Sequence, residues 1–460
     1  MEKKNNKMLF WGVGIAGEGF ISACSSTYLA YFLTDVAGVS VELSGVVLFI
    51  TSTAAFILAT IAGAIIASAK PMKWGRLRSW LLVAPPVAAV FFTLHFISVE
   101  GKPMASAIIT TVGYIVASFA WNLAYTANIS LTNVMAMNQE ERNRYNSQRM
   151  MGSNVGRLMG NYLTPIIVAW LGLRLGSERL CYPLLVVGAG VFYMLMEYIH
   201  FRLADGFEEQ YLESLNMEDK SLKLKDMFDI LKSNGQLLVT LLIDLSSNMA
   251  GLALPAMSVY YYKYVVQKPL MTSTHMLCIG LAGFAGSFLI RLFGQKVKSY
   301  KGYLLVVYLL ISGLLVCTKL VQGNAVAFLC INVGIHLLTG TTQPFEMNLY
   351  QDNVIYSEWK TGFNANSLIM GLAELPVKIA GILRSLLITF ALVSAGYVAG
   401  ADPTPAVQNA LANVYAFIPA CIPIMGFLLL KFAYKLTPER IAQMKEEIEE
   451  RNAKASEETY

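Results

Sequence analysis

This chain has little charge. Asp, Glu, Lys and Arg make up 14% of its 460 residues, whereas a soluble domain usually carries about 25%. A surface lying wholly in water is thereby excluded. Cysteine is sparse as well. Cys24, Cys181, Cys278, Cys317, Cys330 and Cys421 have no metal-ligand spacing and fall mostly in apolar stretches, which argues against a disulfide framework. His95, His200, His275 and His336 are scattered. No paired acids, nucleophile–base set or metal cluster stands at either end of an apolar stretch, so nothing points to an enzyme. Gly12-Val13-Gly14 lacks the strand–helix context of a phosphate loop. The basic start Met1–Lys7 runs straight into an apolar segment, with no sign of a cleavable leader.

What is there is hydrocarbon: 55% of the residues are hydrophobic. They gather into about twelve stretches, each near the ~20 residues needed to cross ~30 Å of bilayer core. These are 11–33, 43–69, 79–99, 104–135, 150–172, 181–201, 236–262, 272–294, 302–322, 325–348, 367–397 and 407–433. Backbone in lipid must satisfy its own hydrogen bonds, so the stretches are helices. The prediction is an all-α polytopic membrane protein. A long polar segment divides the spans six and six: 1–203 is the N-terminal half, 204–235 a central cytoplasmic loop, 236–435 the C-terminal half and 436–460 a tail. Lys73-Trp74-Gly75-Arg76 after the second span echoes Arg291-Leu292-Phe293-Gly294 after the eighth. Two six-helix halves of this kind predict a major facilitator fold with its site between them.

Lys and Arg fix the expected orientation. Lys70, Lys73, Arg76 and Arg78, Arg142 and Arg144, and Lys296, Lys298 and Lys301 all fall on the side of the termini. The opposite side has only Lys102, Arg174, Arg179, Lys263, Lys268 and Lys319. Both termini are therefore expected in the cytoplasm, in a cytoplasmic membrane. The net charge of +5 reports this topology and contact with the inner leaflet, not nucleic acid. Asp352–Gly362 reads as a short polar loop at the membrane edge. From Thr437 the tail reads as a helix, with Pro438 in its first turn and Ile441, Met444 and Ile448 on one face. A solvated amphipathic tail is the expectation, and a regulatory partner helix the alternative.

A charge at mid-membrane costs roughly 2.5–3.5 kcal/mol on insertion scales, so each is a functional candidate. Glu18 sits between two glycines in the first span, where a helix or ligand has room to approach. Its readings are a solute-site or ion-pair carboxylate, or one reaching water at the interface. Arg149 and Arg157 lie on the fifth span, with Arg149 expected at the mouth and Arg157 deeper. An arginine fork matches vicinal hydroxyls or a carboxylate. The competing readings are headgroup snorkelling for Arg149 and a structural pair with Glu18 for Arg157. Glu374 and Lys378 are one turn apart, which suits an ion pair, and Pro376 between them weakens the helix. Lys378 is thus a candidate for transport or coupling, against a purely structural bridge. Trp121, Tyr125 and Asn128 form a polar-aromatic stripe on the fourth span. Asp244, Asn248 and Tyr260-Tyr261-Tyr262 decorate the seventh, the tyrosines reading as an interface belt.

These words resemble a known family. Tyr31-Phe32-Leu33-Thr34-Asp35-Val36-Ala37-Gly38, Trp74-Gly75-Arg76-Leu77-Arg78-Ser79-Trp80, Glu141-Arg142 with Arg149 and Gly156, and Asp352…Tyr356-Ser357-Glu358-Trp359-Lys360-Thr361-Gly362…Lys378 are similar to signatures of the glycoside–pentoside–hexuronide:cation symporters, the group containing the melibiose permease. The resemblance implies a twelve-helix major facilitator fold, a central sugar site and coupling to Na⁺, H⁺ or Li⁺. It places Tyr125, Arg149 and Lys378 at sugar- or cation-lining positions, and Glu18 within one residue of a sugar-binding carboxylate.

The chain also departs from that pattern. The family's cation-holding aspartate pair on the second helix is replaced by Phe56 and Thr60, with Ile61 for a proline, and the acidic ligand on the fourth helix by Asn128. Ile355, Asn364 and Asn366 stand where the resemblance implies charged residues. Neutral oxygens alone suit Na⁺ poorly, so sodium coupling at the usual place is disfavoured. Proton coupling through Glu18, Glu374 or Lys378, or uncoupled diffusion, gains weight. The same loss of negative charge leaves Arg149, Arg157 and Lys378 less neutralised, favouring a uronate, sulfonated sugar or other organic anion. The expected protein is a secondary transporter of a sugar, glycoside or uronate-like solute, for which a monomer suffices. A carrier of a non-sugar anion and a non-transporting sensor are the rivals.

Overall fold

The computed structural model describes residues 10–68, 70, 72–135, 139–206, 234–293, 297, 299–362, 366–398, 401 and 404–457. Most of the central loop lies outside that set. Among the described residues the elements are helical: α1 Val13–Tyr31, α2 Val41–Ser68, α3 Trp80–Leu94, α4 Pro103–Met135, α5 Gln139–Leu175, α6 Glu178–Leu203, α7 Gly235–Tyr260, α8 Met271–Phe293, α9 Tyr300–Cys317, α10 Ala325–Thr361, α11 Asn366–Leu372, α12 Leu375–Ser394, α13 Pro405–Leu428 and α14 Pro438–Glu457. Ten stretches are long and apolar enough to span a membrane, and α3 is a shorter apolar helix. With α1, and with α11 and α12 as two pieces of one span, they make the all-α polytopic major facilitator fold. Apolar side chains are turned outward along single helix faces, as with Val83, Val87 and Val90 of α3 and Leu184, Val187, Val191 and Leu195 of α6. Spacings of three and four residues build such faces, and these belong against lipid.

Contacts group the chain into two compact units. The first comprises residues 1–218, 255–277 and 385–411, and the second 219–254, 278–384 and 412–460. In the first, Trp11, Leu81, Ala84, Ala127, Leu131, Tyr145 and Phe201 share one core. The α1–α5 contact is close because small residues line it. A Cβ on Gly152 would come 2.0 Å from the Gly12 carbonyl oxygen, one on Gly156 2.0 Å from that of Ala16, and one on Gly160 2.6 Å from that of Phe20. The second unit repeats the device, since a Cβ on Gly340 would meet the Gly283 oxygen at 2.2 Å.

Several expectations change. Asp352–Gly362 is no loop: it forms the last turns of α10, stopped at Gly362 by a left-handed φ of 74°. Asp352 is buried and accepts hydrogen bonds from Tyr300 and Tyr434. The polar stretch around Glu141 likewise belongs to α5, which starts at Gln139. Both helices outrun their apolar stretches, because polar turns continue a helix wherever water meets it. The eleventh span breaks between Leu372 and Leu375, where the Pro376 ring would strike the carbonyl four residues back. The tail helix is solvated on one face only and docks by the other. Ile441 and Met444 are buried in a core with Leu349, Tyr434 and Leu436, and Arg451 donates to the Glu358 and Trp359 carbonyls of α10. Tyr260, Tyr261 and Tyr262 are buried rather than belted at an interface.

Candidate functional site

Four helices of the first unit converge on buried polar side chains. Glu18 of α1 is 1% exposed, Arg149 of α5 8%, and Asn128 of α4 with Glu197 and His200 of α6 0%. Glycines of α1 make the approach possible. A Cβ on Gly14 would lie 2.3 Å from His200 Nδ1 and 3.0 Å from Glu197 Oε1, and one on Gly17 2.8 Å from the Met196 Cβ.

Arg149 Nε donates to Asn128 Oδ1 at 2.9 Å, and its guanidinium carbon lies 5.6 Å from the centre of the Tyr125 ring. Tyr125 in turn stacks on Trp121, centroids 5.0 Å apart. With the Asn128 oxygen taken, its amide nitrogen is the donor in the 2.8 Å bond to His200 Nδ1. His200 therefore accepts at Nδ1 and carries its proton on Nε2, the neutral tautomer. Trp11 packs on the other side of His200, its ring edge-on at 4.1 Å and its Nε1 donating to Thr132 at 2.9 Å.

Glu18 and Glu197 are immediate neighbours. Among the described residues no donor reaches either carboxylate. Among the described residues Arg149 forms no ion pair with either. The second unit handles its buried acids differently. Glu346 accepts from Ser247 and Tyr308 at 2.5 and 2.7 Å, and Asp244 accepts from Asn248 and Tyr350, each at 2.7 Å. Those two carboxylates are met by hydroxyl and amide donors, and the Glu18–Glu197 pair is not.

At the far end of α1 the chain widens into a π-helical turn, Phe32–Val36, and α7 ends in another, Tyr261–Val265. Such turns often mark functional positions. The two carry the partners of one ion pair, Lys263 Nζ to Asp35 Oδ1 at 3.0 Å, with the Asp35 side chain wholly enclosed. Tyr264 and Tyr397 donate to the same carboxylate, and Lys263 also reaches the Tyr31 hydroxyl.

Among the sequence-predicted residues, Glu18, Tyr125, Asn128 and Arg149 come together. Arg157 does not: it is exposed on α5, with Arg149 the buried one, the reverse of the expected depths, and no pair joins it to Glu18. Phe56 is half-buried on α2, and the side chains of Thr60 and Asn366 and all of Asn364 lie outside the described residues. In the second unit Glu374 is exposed in the turn between α11 and α12, and Lys378 is half-buried on α12. The expected ion pair between them is absent among the described residues, because the break before Pro376 takes Glu374 off the helix whose register the pairing assumed. Glu197 and Glu346 escaped the sequence reading, although each is an acid inside an apolar stretch, the same signal that marked Glu18. His200 was set aside as scattered, and Asp35–Lys263 joins distant segments.

This interior, held in lipid-facing helices, defines a polytopic membrane carrier. Residues 10–438 match the profile of the MFS/sugar transport protein family, and the chain belongs to that family. It is a transporter, not an enzyme. It is 27% identical to the uncharacterized symporter YjmB of Bacillus subtilis, covering 96% of this chain and 95% of that one. To a putative sulfoquinovose importer of Escherichia coli it is 24% identical, over 96% and 93%. A crystal structure of a D-xylose–proton symporter superposes with a TM-score of 0.62 at 14% identity, over 94% and 98%, and shares the fold.

Proposed function

We propose that this carrier moves a polyhydroxylated solute bearing an anionic group across the cytoplasmic membrane by alternating access. Arg149 is the ligand of the anion, the stacked Trp121–Tyr125 pair the platform for the sugar face, and Lys378 a further cation of the second unit. One observation carries the reading: Arg149 is buried, and its hydrogen-bond and ring partners among the described residues are neutral, the Asn128 oxygen and the Tyr125 ring. A buried guanidinium costs several kcal/mol in desolvation, on the order of a strong ion pair, and with neutral direct partners it holds no ion pair that an incoming anion would have to displace. A relative named as a putative sulfoquinovose importer supports the same class, sulfoquinovose being a sulfonated sugar. Among rivals, the aromatic platform favours a sugar-like solute over a simple organic acid. Glu18, enclosed by α1 and α6, fits coupling better than direct solute contact. The absence of a carboxylate at Phe56 and at Asn128 disfavours Na⁺ at the usual family position.

Uptake into proteoliposomes tests this with three probes: glucose, glucuronate and sulfoquinovose. The expected result is uptake of an anionic probe that glucose fails to inhibit. Arg149→Lys keeps the charge but loses the fork, and should raise KM about tenfold, worth about 1.4 kcal/mol. Arg149→Gln should abolish uptake. Equal competition by glucose, or unchanged uptake by Arg149→Gln, would overturn the reading.

A further inference from the structure

We propose that Glu18 and Glu197 form a shared-proton site, holding one proton between them in the empty carrier and taking up a second when the solute's anion engages Arg149. Glu197 is thereby assigned a coupling role. The inference rests on the anionic-solute reading above.

Charge balance leads there. Both side chains are buried and, among the described residues, all four carboxylate oxygens lack a donor, although the two groups are neighbours. Two bare carboxylates side by side in a low-dielectric interior repel strongly, and a proton on one makes it a donor to the other. The groups facing the pair come from each packed helix. α1 supplies Glu18 itself, α5 supplies Arg149, and α6 supplies Tyr193, Glu197 and His200, while Asn128 of α4 bridges Arg149 and His200. Asn128 holds His200 neutral, and Tyr193 is neutral. α3, which packs on α6, has no ionisable residue between Trp80 and Leu94. Arg149 is the one charge in that set besides the pair.

With one proton the pair bears a single negative charge, offset by Arg149, and the site is neutral. An anion that engages Arg149 consumes that offset. The pair restores neutrality by binding one more proton, taken from water on the side where solute enters. On the other side the anion leaves Arg149 and the second proton returns to water. Each turnover thus moves one anion and one proton together, with no net charge. Coupling of this kind is reciprocal: the added proton strengthens anion binding by the factor with which the anion strengthens protonation.

Two measurements test the proposal. In wild-type protein in lipid nanodiscs, infrared difference spectroscopy should show the carbonyl stretch of a protonated carboxylic acid at neutral pH. That band should vanish in both Glu197→Gln and Glu18→Gln, since either survivor is balanced by Arg149, and should grow on adding sulfoquinovose. In proteoliposomes, a one-unit pH gradient, acid outside, should drive about tenfold accumulation of sulfoquinovose by the wild type. By the same charge balance one remaining carboxylate still takes up a proton when the anion arrives, so accumulation should survive in either single variant and be lost in Glu18→Gln/Glu197→Gln, which should move sulfoquinovose only down its gradient. Full accumulation by the double variant, or a wild-type spectrum that neither single substitution changes, overturns the proposal. Should the double variant fold poorly, the infrared titration of the wild type still decides, since a band that fails to grow with sulfoquinovose overturns the second protonation. Should the wild type move no anionic probe, the anion reading fails and takes the coupling with it, while the band still decides whether the proton is shared.

Discussion

At the residue scale, Asp35 shows how one carboxylate organises its surroundings. Its two oxygens accept from Lys263, Tyr264, Tyr397 and Thr34, the last at 2.6 Å. Three separate stretches of chain meet on one enclosed side chain. Asp35→Asn keeps the shape, removes the charge and leaves Lys263 without its counter-ion. Losing one member of an enclosed pair costs about 3 kcal/mol when nothing replaces it, and Lys263, one-third exposed, recovers part of that from solvent. A destabilisation of about 2 kcal/mol is expected in thermal unfolding of the purified protein. Lys263→Met in the Asp35→Asn background should add little further. Strictly additive losses in the double variant would show that the two residues act separately. Sequence alone displayed Asp35 as part of a familiar phrase but hid its partner, because 228 residues separate the two.

At the element scale, the α1–α5 contact is set by what is missing from it. Gly152, Gly156 and Gly160 recur every fourth residue, so they form one stripe on α5. Each rests against an α1 carbonyl too closely for a side chain. Lipid gives little hydrophobic drive for pairing helices, and close backbone packing replaces it. Gly156→Ala would place a methyl 2.0 Å from the Ala16 oxygen, forcing the helices apart two residues from Glu18. Overpacking of this kind costs typically ~1–3 kcal/mol, so the variant should melt earlier in detergent and show weakened uptake as well. Gly172→Ala, on the same helix with open space around its Cα, is the control and should behave as wild type; equal losses in both would mean that glycine matters only for α5 itself. Apolar lengths foretold the membrane cores of these helices well. Their polar ends, at Glu141 and at Asp352, lie outside those lengths, since hydropathy measures burial in lipid, and a helix continues past it. The docked tail escaped for a related reason: an amphipathic pattern states that one face is covered, and Ile441 and Met444 do not say by what.

At the scale of the whole molecule, composition alone was enough for the class, because 14% charge leaves few folds open to 460 residues. The interior was legible only in part. Residues that announce themselves by being costly in lipid, such as Glu18 and Arg149, stood out one by one. Which acid sits beside which depends on helix packing, and Glu197 reaches Glu18 from 179 positions away. Orientation is the property that the sequence states most directly and that a test resolves cleanly. Moving a positive charge against a membrane potential costs about 2.3 kcal/mol per 100 mV, so loops rich in Lys and Arg stay inside. The loop with Lys70, Lys73, Arg76 and Arg78 is therefore expected in the cytoplasm together with both termini. In a variant with all six native cysteines replaced, single cysteines at Glu100, Lys268 and Gln322 should react with an impermeant maleimide added to intact cells. Cysteines at Lys73 and Glu449 should react only after the cells are opened. All five positions are exposed, so failure to label reports sidedness and not burial. The opposite pattern would reverse the topology, and with it the side from which solute and proton reach Arg149 and the Glu18–Glu197 pair.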